Sequence, residues 1–213
     1  MNTNKTIKQV KKYGQRQVFE RYLSEKEERL LFKTIRSFGS VLARRDHAWM
    51  LLLRHTGIRV GSLAGLTLDD ALMARQSGYL VLRDEIAKGE RGYKVFLNKT
   101  ATVALKRLLK IRKEMGAPMD PDSPFILSRH HKALAVRSFQ QSMKHWCRVA
   151  ELKVEASPHW WRHTLAKRLM SNSEADDPRG HVCAVLGHSS VMSTTVYTLP
   201  DREDIERSLE AVS

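Results

Sequence analysis

Arginine, histidine and tyrosine occur in three short patterns whose spacing suits chemistry on a phosphate group. Arg59 follows a Gly-Ile turn, where we expect it on the first turn of a helix, beside free backbone N–H groups. His159 and Arg162 are three residues apart after a Ser-Pro pair, so they share one face of a predicted helix. His188 follows Leu-Gly, and Tyr197 comes nine residues later. An imidazole and a guanidinium with five N–H donors together suit the transition state of a phosphodiester.

Each pattern alone also has a purely structural explanation. An arginine near a helix start is more often ordinary surface, and His-x-x-Arg arises on helices by chance. Trp160 and Trp161, which lie between His159 and Arg162, suit the hydrophobic core. A tyrosine near the end of a helical chain, such as Tyr197, is usually half-buried packing.

Taken jointly and in this order, the motifs resemble those of the tyrosine recombinase (phage-integrase-like) family. They are Arg59, His159-x-x-Arg162, Leu-Gly-His188 and Tyr197. The resemblance extends over about residues 22–200, nearly the whole chain. It implies the fold of the family's catalytic domain, which is mainly α with a small antiparallel three-stranded β-sheet.

The resemblance also implies a reaction that uses neither a metal, a cofactor nor ATP. Tyr197 would attack phosphorus and leave a 3′-phosphotyrosyl link with a free 5′-hydroxyl. Arg59 and Arg162 would hold the non-bridging oxygens, whose charge grows in the transition state. His159 would accept the tyrosine proton or orient the phosphate, and His188 would donate a hydrogen bond to that phosphate.

The family's hairpin lysine maps onto Lys88, which lies in Ala-Lys-Gly between two predicted strands. It would protonate the departing 5′-oxygen, a role that suits a lysine with cationic neighbours such as Arg59 and Arg162. Without the resemblance, a lysine in a hairpin loop is ordinary solvated surface. Lys94, closer to the second strand, is the weaker candidate.

Three features depart from the family's pattern. Ser62 stands where the family often has glutamate, which leaves the support of Arg59 open. The segment between Arg162 and His188 is slightly long, with residues 173–178 in place of a tight turn. The third departure is that we expect only a basic arm, and no N-terminal core-binding domain, before the catalytic unit. In this respect the chain is similar to the short fimbrial-switch invertases.

The chain is strongly basic, with a formal net charge of +14 and a pI of about 10.0 over 213 residues. Such a chain is attracted to polyanions, and double-stranded DNA is the partner that we expect. A ribosomal protein or a membrane-surface protein would also be basic. The longest apolar run, Trp49–Leu53, is far too short to cross a bilayer, so we expect no membrane partner. Cys147 and Cys183 form neither a disulfide pattern nor a metal-ligand spacing, which favours the cytoplasm.

Periodicity and turn residues predict the elements that must position these side chains. They are a helix from Ser24, a helix over Val41–His55, a short helix over Arg59–Ala64, a hairpin of strands 79–82 and 93–97, a basic helix over 99–115, a third strand over 125–127, and helices from Lys132 onward. Ser24 and Glu27 form a predicted capping box, and Gly57 suits the left-handed end of the second helix.

We divide the chain into a basic arm (1–21), a catalytic domain (22–200) and a C-terminal tail helix (201–213). The arm is either a frayed terminus or a segment that orders on DNA. Ile205, Leu209 and Val212 share one side of the tail helix. That side would pack on a neighbouring protomer or on its own protomer, and the sequence favours neither.

The function implied by the resemblance is site-specific DNA recombination, as an integrase, an invertase or a resolvase. The family acts as a homotetramer on two DNA duplexes, and an accessory DNA-bending protein is a further possible partner. Two other activities stay open on the sequence. One is a DNA-binding regulator of the same fold with weak or absent cleavage, and the other is relaxation of supercoils in the manner of a type IB topoisomerase. An accidental match by a basic helical protein is the remaining explanation.

Overall fold

The computed structural model describes residues 21–87, 92–187, 194, 197 and 202–212, without the side chains of 202–204. The helices in these ranges are α1 (Glu25–Arg36), α2 (Val41–Thr56), α3 (Val60–Ala64), α4 (Leu68–Ser77), α5 (Lys99–Glu114), α6 (Val136–Val149), α7 (His159–Ser171), α8 (Pro178–Leu186) and α9 (Arg202–Glu210). The strands are β1 (Tyr79–Leu82) and β2 (Tyr93–Phe96). No helix in the described part of the chain is both long and apolar enough to span a membrane. The predicted basic arm, except Arg21, lies outside the described residues.

Helices α2 and α5 lie at the centre of the fold and run antiparallel. An ion pair between Arg44 and Glu114 joins the start of α2 to the end of α5. At the opposite end, Asn98 and His55 form a hydrogen bond of 3.3 Å. The fully buried side chains of the core include Trp49, Trp161, Phe125, Phe139 and Leu52. Burial of each such side chain stabilises the fold by roughly 1.5–3 kcal/mol, so this core holds the site elements in place.

The ends of the first helices follow the local sequence signals. Ser24 and Glu27 form the predicted capping box, with Ser24 Oγ accepting from the Glu27 N–H and the Glu27 carboxylate accepting from the Ser24 N–H. Gly57 ends α2 in the left-handed region, with φ of 64°. The chain then runs in extended conformation through Arg59, which is the N-cap of α3 with φ −70° and ψ 145°. Arg59 therefore lies just before the helix and not on its first turn.

The sheet in the described residues has two strands, and the expectation of three was wrong. Strands β1 and β2 pair in antiparallel register, with Tyr79 opposite Phe96 and Leu82 opposite Tyr93. Residues 125–127 are buried as a core strand would be, but the bridges here are isolated ones, from Pro124 to Thr67 and from Leu127 to Ala133.

The side chain of Arg112 supplies hydrogen bonds at the start of this segment that a neighbouring strand would otherwise supply. Its guanidinium is buried and donates to the carbonyl oxygens of Pro124 and Phe125, at 2.5 and 3.2 Å. Carbonyls that accept from a side chain in this way do not need a neighbouring strand. The apolar run thus predicted burial correctly and strand pairing incorrectly.

Helix α7, which carries two of the candidate residues, is anchored by a charged group in α1. The carboxylate of Glu28 accepts from Arg54 of α2 at 2.8 Å and from Arg168 of α7 at 2.7 Å. Burial raises the pKa of Glu28, and the charge of Arg168 opposes that shift. In addition, the backbone N–H of Leu23 donates to Oγ1 of Thr164 at 3.0 Å. Helices α1, α2 and α7 are therefore joined close to the site.

Candidate active site

Arg162 is buried at the point where three elements meet, with only 3% of its surface exposed. Its Nη1 donates to the carbonyl oxygen of Gly57 at 2.7 Å, and its Nη2 donates to that of Leu186 at 2.9 Å. Those carbonyls lie at the ends of α2 and α8. One guanidinium on α7 therefore joins the turn that precedes Arg59 to the turn that precedes His188.

Gly57 allows these elements to come close together. A Cβ atom at this position would lie 2.6 Å from Cδ2 of Leu186 and 2.9 Å from Cδ2 of Leu165. Both distances are too short for carbon atoms, and the φ of 64° also disfavours a side chain. The end of α2 consequently packs directly on α7 and α8, which brings Arg59 toward Arg162.

Gly187 links the end of α8 to the hairpin. A Cβ atom there would lie 2.7–2.8 Å from three atoms of the Tyr93 ring, and its φ is 64°. Tyr93 is the first residue of β2, so the hairpin packs against the backbone that leads to His188. Among the described residues, the buried Tyr93 hydroxyl has no partner at normal hydrogen-bond geometry. It is close enough to Arg162 to raise the pKa of that guanidinium.

Arg59 is close enough to Arg162 to affect the ionisation of its guanidinium. Burial is the main cause that lowers the pKa of Arg162, and the positive charge of Arg59 is the second. Two guanidinium groups that face the same space suit an anion with several oxygens, such as a phosphodiester.

Tyr197 lies in the field of both arginines. Burial raises the pKa of its hydroxyl, and the charges of Arg162 and Arg59 oppose this rise. Its ring packs on a small apolar cluster that includes Val182 and Leu186 of α8. The hydroxyl is therefore held beside two cations while its ring is fixed by α8.

The hydroxyl oxygen of Tyr197 lies 3.0 Å from Nδ1 of His163, which is a hydrogen bond. His163 follows Arg162 on α7 and is 8% exposed. His159, one helical turn earlier, is exposed, and its ring lies edge-on to that of His163 with centroids 4.9 Å apart. His163 was not among the residues predicted from the sequence. A usable signal was present, because positions 159 and 163 are four apart and share a helical face.

Lys88 and His188 lie outside the described residues, so the structure describes only their surroundings. Just before Lys88, Ala87 is fully buried, and the carbonyl oxygen of Ile86 accepts from Oγ of Ser62 at 2.7 Å. Ser62 belongs to α3, which starts at Arg59. The serine that stands where the family often has glutamate thus holds the turn that follows β1 and leads to Lys88.

Four of the six candidate residues are described, and the contacts above bring them into one region. These are Arg59, His159, Arg162 and Tyr197. Lys94, the weaker candidate for the hairpin lysine, is exposed in the middle of β2 and pairs with Val81. The arrangement offers a hydroxyl nucleophile, two cations for an anion and an imidazole in contact with the hydroxyl. The catalytic roles of the six residues stay predictions.

The chain matches known proteins over most of its length. Residues 21–203 match the model of the phage integrase family. The tyrosine recombinase XerC of Shewanella amazonensis is 32% identical over 166 residues, which are 78% of this chain and 52% of that protein. The tyrosine recombinase XerD of Listeria monocytogenes is 30% identical over 158 residues, which are 74% of this chain and 50% of that protein. This chain spans about half the length of these relatives.

Solved structures with the same fold are also recombinases. The crystal structure of XerA recombinase has a TM-score of 0.70 and 24% identity, over 89% of this chain and 62% of that one. A lambda integrase tetramer bound to a Holliday junction has a TM-score of 0.60 and 17% identity, over 83% of this chain and 47% of that one. The predicted fold, a mainly α catalytic domain with a small antiparallel sheet, is confirmed apart from the number of strands.

Proposed function

We propose that this chain, which belongs to the phage integrase family, is the catalytic unit of a site-specific DNA recombinase. The observation that carries the proposal is the position of the Tyr197 hydroxyl, half-buried and within electrostatic reach of Arg162 and Arg59. Packing alone explains the Tyr197 ring, but it does not require two arginines near the hydroxyl. A protein that only binds DNA has no use for a nucleophile at that point.

In the proposed reaction, the Tyr197 oxygen attacks phosphorus and the bond to the 5′-oxygen breaks. Arg59 and Arg162 bind the non-bridging oxygens, and fixed donors of this kind can contribute about 3 kcal/mol each to transition-state stabilisation. Lys88 protonates the departing 5′-oxygen, and His188 donates a hydrogen bond to the phosphate. Because the energy of the ester is kept in the 3′-phosphotyrosyl link, the DNA can be rejoined without ATP.

The partner that we propose is double-stranded DNA in the cytoplasm. The net charge of +14 supports this proposal, because a basic protein gains binding free energy when counterions leave the DNA. The buried Cys147 is a free thiol, a state that a reducing compartment preserves. Among the structural neighbours, XerH recombinase has been crystallised on its difH substrate. An accessory DNA-bending protein stays a further proposal.

The tail helix supports assembly into a homo-oligomer, for which we propose a tetramer on two duplexes. Ile205, Leu209 and Val212 are 44%, 64% and 82% exposed in the isolated chain. Apolar side chains on one side of a short helix gain stability by packing on another surface. Their exposure favours packing on a neighbouring protomer over packing on the same chain.

A covalent-trapping experiment tests the proposal without knowledge of the DNA site. A pool of nicked duplexes with randomised arms is incubated with the full chain, and adducts that resist SDS are recovered and sequenced. We expect an enriched duplex that forms an adduct with the native chain and none with Tyr197→Phe. Tyr79→Phe, which removes the hydroxyl of an exposed strand tyrosine, should keep the adduct. An adduct that survives Tyr197→Phe would show that another residue is the nucleophile.

The same enriched duplex separates recombination from its two alternatives. On a plasmid with two copies of the site, recombinants indicate the proposed recombinase. Relaxed plasmid without recombinants indicates a topoisomerase-like activity. Binding without an adduct from the native chain indicates a regulator.

A further inference from the structure

His163 and Tyr197 form a hydrogen-bonded pair inside the site. Nδ1 of His163 and the hydroxyl oxygen of Tyr197 are 3.0 Å apart, and the ring centroids are 5.5 Å apart with a tilt of 53°. His163 is buried on α7 directly after Arg162, and its ring contacts that of His159 edge-on. A polar contact of this length in a buried site is stronger than the same contact in water.

The tyrosine needs a proton acceptor in order to react. Burial raises the pKa of the Tyr197 hydroxyl above its ordinary value, so at neutral pH the oxygen carries its proton. A neutral phenol is a poor nucleophile, and a base must lie within about 3 Å of the oxygen whose proton it removes. Nδ1 of His163 meets this requirement. His159, which the sequence suggested for the role, is exposed at the start of α7.

We infer that His163 is a catalytic residue, the general base that accepts the Tyr197 proton at Nδ1 while the tyrosine oxygen attacks phosphorus. The inference rests on the proposed function. In cleavage, the bond between the Tyr197 oxygen and phosphorus forms and the bond to the 5′-oxygen breaks. The Tyr197 proton moves to His163, and the leaving oxygen takes a separate proton from Lys88. Religation reverses each transfer, so protons and electrons balance without a co-reactant.

The charged and titratable groups around the pair set when this base can act. Arg162 and His159 face it from α7, Arg59 faces it from the turn before α3, and Tyr93 lies beside Arg162 from β2. The charges of the two arginines act on the Tyr197 hydroxyl, the partner of His163. A bound phosphodiester would offset their charge, so proton transfer to His163 is favoured when DNA is in place. The ring of His159 supports the orientation of His163 and acts as a positioning group.

Two substitutions separate a base from a group that only holds the tyrosine. His163→Ala removes the side chain, and His163→Asn keeps a side chain able to form hydrogen bonds but provides no base. The probe is the nicked duplex enriched by covalent trapping, and the measurement is the single-turnover rate of adduct formation. We expect both variants to be at least 100-fold slower near neutral pH, which is the lower range for loss of a general base. His181→Ala, which changes an exposed histidine of α8, should react at the native rate.

Two further readouts respond to a missing base and not to a structural defect. The deficit of His163→Ala should shrink as the pH rises, because the tyrosine then loses its proton to solvent. Imidazole added to the buffer should restore part of the His163→Ala rate. A His163→Asn chain that reacts at the native rate would overturn the inference. It would also be overturned by a deficit in His163→Ala that is independent of both pH and imidazole.

A measurement without DNA keeps the test decisive if these variants unfold, or if the native chain forms no adduct. The ¹⁵N resonances of the His163 ring are compared between the native chain and Tyr197→Phe. Loss of the hydroxyl should shift the Nδ1 resonance, and an unchanged resonance would mean that the pair does not exist in solution. A shifted resonance without any adduct from the native chain would overturn the proposed function and leave the contact intact.

Discussion

The Nη1 atom of Arg162 lies 2.7 Å from the carbonyl oxygen of Gly57, across 105 residues of chain. The same guanidinium donates to the carbonyl oxygen of Leu186. Arg162 therefore binds the protein itself with two of its donors, while its charge acts on the Tyr197 hydroxyl. The residue that we assign to the phosphate is also the residue that joins the ends of α2 and α8.

Arg162→Lys tests this double role. A lysine ammonium cannot span both carbonyl oxygens as a planar guanidinium does. We expect adduct formation to slow by about 100-fold, since a lost transition-state donor costs about 3 kcal/mol. The free energy of unfolding should fall by about 1–3 kcal/mol, because a buried carbonyl loses its donor. Arg75→Lys, on the exposed side of α4, is the control for both measurements. Unchanged stability would mean that the two carbonyl contacts contribute little.

Gly187→Ala tests the packing of the hairpin on the end of α8. Gly116 has the same φ of 64°, but a Cβ atom added there would have no neighbour within 4 Å, so Gly116→Ala measures the backbone strain alone. We expect that control to lose about 1 kcal/mol in the free energy of unfolding. Gly187→Ala should lose roughly 1–3 kcal/mol more, because its Cβ would meet the Tyr93 ring. Equal losses in denaturant titrations would contradict the close approach.

Ser62→Ala tests whether α3 holds the hairpin that leads to Lys88. Loss of the hydrogen bond to Ile86 should slow cleavage of an ordinary duplex by about tenfold, which corresponds to about 1.4 kcal/mol. A substrate with a 5′-thiolate leaving group needs no proton, so it should be cleaved at close to the native rate. Ser77→Ala removes a similar hydroxyl-to-carbonyl bond at an exposed site and serves as the control. Equal slowing of both substrates would show that Ser62 acts elsewhere.

The buried His47 should make the free energy of unfolding depend on pH. Burial, with the charges of Arg107 and Arg36, lowers its pKa from 6.5 to about 4. Between pH 6.5 and about 4, the unfolded chain binds a proton at His47 more readily than the folded chain does. The contribution of His47 to the free energy of unfolding is therefore complete above pH 6.5 and is lost as the pH falls to about 4. The difference amounts to about 3 kcal/mol. Unfolding free energies of His47→Gln should therefore fall less over this window than those of the native chain. His130→Gln, at an exposed histidine, is the control for the substitution itself.

Chelation tests the charge balance of the proposed mechanism. Two arginines supply the positive charge that a divalent cation supplies in many phosphoryl transfers. We expect adduct formation with the enriched duplex to continue at the native rate after dialysis against EDTA. A rate that falls in EDTA and returns with Mg²⁺ would contradict this expectation.

Much of the fold followed from local signals, but the third strand and the position of Arg59 on its helix did not. The capping box at Ser24 and the left-handed end at Gly57 involve residues within a few positions of each other, so the sequence predicted both. The third strand failed because its carbonyls bond to separate distant groups and not to a neighbouring strand: that of Phe125 accepts from Arg112 and that of Leu127 accepts from Arg45. An apolar run of three residues indicates burial but carries no information about such a partner.

The sequence by itself determined the family and the candidate residues. Motifs such as His159-x-x-Arg162 are short and local, so their order and spacing can be read from the chain. Only the tertiary structure decided how these residues meet. The pairing of His163 with Tyr197 and the contact of Arg162 with Gly57 cross 34 and 105 residues of chain. Such contacts depend on how packed helices meet in space, and no local spacing specifies that.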